Sequence, residues 1–84
     1  MSKQTYRQAQ RVKPIGFEGI EACRRIMKEG YAKVNEVMVD SFSASAIIAV
    51  YDALNTPNRL KLESLTVGKA ATVCFKLINQ QKTA

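Results

Sequence analysis

Over most of this chain the apolar residues return at helical spacing. From Phe17 onward, Phe17, Ile20, Cys23, Met27, Tyr31, Val34 and Met38 recur at steps of three or four, which places them on one face of a helix. Gly30 falls within this stripe and costs about 1 kcal/mol relative to Ala in a helix interior. The stripe keeps its phase through the glycine, so the spacing predicts one long helix, kinked or broken at Gly30. A competing strand over 33–39 rests on the β-branched Val34, Val37 and Val39.

Asp40, Ser41 and Ser43 then offer short side-chain oxygens for the orphan amides of a following helix. That helix, 44–54, carries Ile47, Ile48, Val50, Tyr51 and Leu54 around more than one face, with Asp52 as its only charge. Thr56 and Pro57 read as an N-cap and a first helical residue. A short helix follows to about Leu65, with Leu60, Leu62 and Leu65 for the core.

Thr66 is placed to cap a final helix over 66–80, where Lys69, Thr72, Lys76, Asn79 and Gln80 draw one narrow polar stripe. The rest of that helix is small or apolar, so it is expected to be the central rod of the domain. The fold class predicted is all-α: a compact bundle of about four helices, one long and three short, over residues 16–80. Residues 1–15 form a flexible basic arm and residues 81–84 a frayed tail. The alternative is α+β, with a C-terminal β-hairpin built from LKLESLTV and ATVCFKLI around Gly68 and Lys69.

Composition sharpens this picture in three places. At 84 residues the chain buries a modest share of its unfolded surface, which leaves a thin stability margin and an incentive to associate. The formal charge is +6, and it is concentrated: Lys3, Arg7, Arg11 and Lys13 precede any acid, whereas the remainder has nine basic and seven acidic residues. Such an arm suits phosphate backbones or another acidic surface. Cys23 and Cys74 lie far apart among apolar neighbours and read as buried free thiols of a reducing compartment. With no apolar segment behind the charged start and no run long enough to cross a bilayer, the expected location is the cytoplasm, without a membrane partner.

The chemistry expected is that of binding. There is no His, which removes the usual general base near neutral pH and the commonest metal ligand. The cysteines form no C-x-x-C pair, and no glycine-rich phosphate loop occurs. No catalytic residue, metal site or cofactor is expected. Glu18 and Glu21 face Arg24, Arg25 and Lys28 at helical spacing as solvated pairs, and Asp52 is expected either to pair with Arg59 or Lys61 or to mark the one exposed edge of its helix.

Two binding readings follow. The first is a small non-enzymatic protein that docks on a larger protein, in the manner of a phage or mobile-element accessory factor, or on a second copy of itself. Phe42 and Tyr51 are its candidate interface residues. The second is nucleic-acid binding. Residues 62–77 have a passing similarity to a helix-turn-helix, with a turn at Thr66, Val67 and Gly68. Lys69, Thr72 and Lys76 would then face a groove while Lys3, Arg7, Arg11 and Lys13 grip phosphates.

Overall fold

A computed structural model describes residues 6–82. The elements run α1 (Tyr6–Arg11), α2 (Gly16–Glu29), β1 (Tyr31–Val34), β2 (Val37–Asp40), α3 (Ser41–Ala53), α4 (Thr56–Glu63) and α5 (Val67–Lys82). The fold is mostly helical, with one small internal β-hairpin. The C-terminal hairpin of the alternative reading does not form, since both of its segments lie within or between α4 and α5. The last helix extends past the expected end at Gln80 to Lys82.

The long helix expected over 17–38 is corrected. It stops at Glu29, and Gly30 caps it with φ 105° while its amide donates to the Ile26 carbonyl oxygen at 2.8 Å. A backbone in that region favours glycine. Beyond it the chain turns into a hairpin, and the competing single strand over 33–39 is split by the turn at Asn35–Glu36. Tyr31 faces Asp40, Ala32 faces Val39, Lys33 faces Met38 and Val34 faces Val37. Burial follows the strand period: Val34 and Val39 are in the core, whereas Tyr31 and Met38, 69% and 58% exposed, point to solvent. The two-residue turn is Asn35–Glu36, with φ 51° and 62°, the left-handed pair that a type I′ hairpin turn requires.

The helix caps follow short polar side chains. Asp40 ends β2 and caps α3, its carboxylate accepting from the Ser43 amide at 2.8 Å. Asn55, one residue before the expected Thr56, caps α4 by accepting from the Asn58 amide at 3.2 Å. Pro57 sits at the start of that helix, where its missing N–H costs nothing. Thr66 caps α5, accepting from the Lys69 amide at 3.3 Å.

The expected central rod is also corrected. It is α3 that α2, α5 and β2 pack against; α5 buries one face, with Val67, Ala70 and Cys74, and leaves Val73 and Leu77 partly exposed. Ile20, Cys23 and Ile26 of α2 meet Ala44, Ile47 and Ile48 of α3 in one continuous core. Full burial of each such isoleucine contributes roughly 1.5–3 kcal/mol. Ile15, expected in the arm, is buried in this core, and its amide donates to the Leu65 carbonyl oxygen at 2.7 Å. Pro14 makes an isolated antiparallel bridge with Thr66. The same segment accepts from the hairpin tip, since the Asn35 amide nitrogen donates to the carbonyl oxygens of Pro14 and Lys13 at 3.2 and 3.4 Å.

Candidate docking surfaces

Phe42 stands in the first turn of α3, two residues after the Asp40 cap, and is 73% exposed. Its ring lies 5.4 Å from that of Phe75 on α5, tilted by 38°, within the range of favourable aromatic pairs. Together with Ala46 and Ile78 the two rings line a shallow apolar hollow. A second hollow, floored by Ala49, Val50 and Ala53, shares Ile78 with the first. A third, between α4 and α5, shares Val50, Leu54 and Leu77 with the second. An apolar surface of linked hollows therefore follows α3 from its first turn to its last. The α3 residues that reach it, Phe42, Ser45, Ala46, Ala49, Val50 and Ala53, fall on one helical stripe.

Tyr51 is not part of that surface. It is 6% exposed, and its hydroxyl donates to the Glu63 carboxylate at 2.7 Å. That hydrogen bond, reinforced by burial, raises the phenol above its ordinary pKa. The Arg59 guanidinium stacks 5.0 Å from the Tyr51 ring centre and donates to the backbone oxygens of Tyr51 and Asp52 at 2.9 and 3.1 Å. Arg59 thus satisfies orphan carbonyls at the C-terminus of α3, where a cation also suits the helix dipole. Tyr51 serves as a strut between α3 and α4.

Asp52 pairs with Arg24 of α2 rather than with the Arg59 or Lys61 side chains. Two guanidinium nitrogens meet its two carboxylate oxygens at 2.6 and 3.1 Å, and Arg24 also reaches Glu21 at 3.3 Å. The Arg24 hydrogen bonds hold the Asp52 carboxyl below the usual carboxylate range.

The basic residues are only partly brought together. Arg11 and Lys13 are exposed near the Pro14–Thr66 bridge, whereas Lys3 and the Arg7 side chain lie outside the described residues. Lys69, Thr72 and Lys76 share the outward stripe of α5 and are all exposed. The turn before α5 is Ser64–Leu65–Thr66, earlier than expected, so Val67 and Gly68 belong to the first turn of the helix. The Thr72 hydroxyl donates to the Gly68 carbonyl oxygen of its own helix at 3.0 Å.

Both cysteines are buried free thiols. Burial pushes each up to about 11, with the nearby Cys23 adding to the effect on Cys74, so neither is a ready nucleophile near neutral pH. Among the described residues, no group of three or more His, Cys, Asp or Glu side chains is placed to hold a metal ion. No helix among them is long and apolar enough to cross a membrane.

Sequence reasoning missed Ala49, Ala53 and Val73, which line the hollows, and Leu77 and Ile78, which help join them. Small and aliphatic side chains at these positions look like ordinary core until the crossing of α3 and α5 is known. Comparison with protein families, with characterised proteins and with solved structures gives no match for this chain.

Proposed function

We propose that this chain is a non-catalytic docking module whose principal partner is a protein. The observation that supports this reading is Phe42, a large aromatic held by Phe75 and largely open to solvent at the mouth of linked apolar hollows. Exposed apolar surface of this kind is expensive to leave in water and is a common feature of protein interfaces. A rigid aromatic anchor over a pre-formed hollow is also the usual form of an interface hot spot. Cross-linked partners recovered with the wild-type chain should be lost with Phe42→Glu, and should persist when Arg11 and Lys13 are neutralised. Retention by Phe42→Glu overturns the reading.

A second reading, nucleic-acid binding, draws support from the α4–turn–α5 unit and its exposed Lys69 and Lys76. It requires affinity for duplex DNA that falls steeply with salt and that drops when Lys69 and Lys76 are replaced. Anisotropy of a labelled random duplex across a salt series separates the two readings.

A further inference from the structure

The third hollow has a composition unlike the other two. Its floor is Val50, Leu54, Leu62 and Leu65, its α5 wall is Val73 and Leu77, and Lys61 stands on the α4 side. Val73 and Leu77 are 38% and 39% exposed, although both sit beside charged positions. Val73 lies four residues after Lys69 and three before Lys76, so the lysines form the outer bank of the same wall. No acidic residue lines the cleft, and α5 carries none along its length. The result is an apolar trough with positive charge on both banks.

We propose that this cleft takes an acidic amphipathic helix from a partner protein, a proposal that rests on the protein-docking reading above. A helix laid between α4 and α5 would place residues i, i+3 or i+4, and i+7 into the apolar floor. Its flanking carboxylates would then stand over Lys61 on one bank and Lys69 and Lys76 on the other. An extended strand has nothing to pair with here, because the walls are helices and the sheet edges belong to the hairpin. Nucleic acid would gain from the lysines but would leave the leucine floor uncovered.

A second copy of the chain is a poor occupant on charge grounds. The net charge is +6, and of the seven carboxylates five are already engaged within the chain. Glu21 and Asp52 bind Arg24, Glu36 meets Lys33, Asp40 caps α3, and Glu63 accepts from Tyr51.

The test uses the full chain and three synthetic peptides of about 14 residues, roughly four helical turns. One carries Leu at helical spacing flanked by Glu, one has Lys in place of each Glu, and one is an acidic scramble of the first. Calorimetric titration should show the Glu-flanked peptide binding at least about tenfold tighter than either control, as expected from three rim pairs of modest strength. In the double variant Lys69→Glu with Lys76→Glu, both at exposed positions, the preference should move toward the Lys-flanked peptide.

No binding of the Glu-flanked peptide, equal binding of all three, or a preference that the double variant leaves unmoved overturns the proposal. If Phe42-dependent partners are still recovered in that case, the docking reading stands and only the acidic helix falls. If instead the two lysines govern a salt-steep affinity for duplex DNA and no peptide binds, both fall.

Discussion

Arg24 on α2 grips Asp52 on α3 through two hydrogen bonds, at 2.6 and 3.1 Å, across 28 positions of sequence. The pair ties the two most extensively packed helices at their solvent edge, and its geometry is the fork-to-fork form that a lysine could not supply. Because both side chains are substantially exposed, its contribution is modest and depends on salt.

Its pH dependence has a definite sign. The folded-state pKa of Asp52 is depressed, so its contribution is present above the ordinary carboxylate value of about 4 and is lost as pH falls through the depressed value. Asp40 is depressed as well, by the Ser43 amide, and acts in the same window. Asp52→Asn should therefore lower the thermal midpoint at pH 7, and the gap from wild type should close as the pH falls below the ordinary carboxylate value and through the depressed one. Thermal melts followed by circular dichroism check this. A gap that widens with acid contradicts the assignment.

Glu36 occupies the second left-handed position of the hairpin turn, with φ 62°. A residue with a Cβ loses about 1 kcal/mol there relative to Gly, and its contact with Lys33 at 3.7 Å is a weak return. Glu36→Gly is expected to stabilise the chain by up to about 1 kcal/mol in urea titrations. Asn35→Ala should do the reverse, since it removes both the favoured turn residue and the bonds to Pro14 and Lys13.

Two glycines give opposite expectations for the same change. A Cβ on Gly19 would run into Cγ1 of Ile15, which is itself buried. Gly19→Ala should cost about 1–3 kcal/mol through overpacking. A Cβ on Gly68 meets nothing within 4 Å, so Gly68→Ala should stabilise by up to about 1 kcal/mol. Paired denaturant titrations of the two variants check the sign of each.

The thiols provide a probe of the core. With pKa values near 11 and no exposure, Cys23 and Cys74 should react with a thiol reagent at pH 8 only through opening of the fold. Labelling should be at least about a hundredfold slower in buffer than in denaturant. Fast reaction of either cysteine in the native chain contradicts its placement.

How much of this was readable in the sequence depended on the range of the signal. Caps are local, so the starts of α4 and α5 were legible within a residue from Pro57 and Thr66, whereas α3 begins at Ser41, three residues before the expected 44, because Asp40 rather than the serines caps it. The hairpin was misread because Tyr31, Val34 and Met38 fit both a helical stripe and a strand pair. The left-handed φ of Gly30, Asn35 and Glu36 decides between the two, and spacing does not carry it. Tyr51 was misplaced because an apolar ring with a polar tip suits an interface as well as a strut; Glu63, twelve positions on, makes it a strut. The Arg24 partner of Asp52 lies on another helix, and the linked hollows exist only where α5 crosses α3. Neither leaves a periodic trace. The exposure of Phe42 was legible because a large aromatic among cap residues has little helix to hide behind.

The bond from Ile15 to Leu65 and the bridge from Pro14 to Thr66 close a loop of about 50 residues, and this bears on the order of assembly. Loop closure costs entropy before it returns any contact, about (3/2)RT ln n for n residues, whereas the hairpin and the α3–α4 corner close over short distances. This seam should consequently form late, and substitutions in it should change the unfolding rate far more than the folding rate. On this order, the Pro14–Ile15 segment should dock beside the start of the final helix only after the hairpin and the α3–α4 corner have formed.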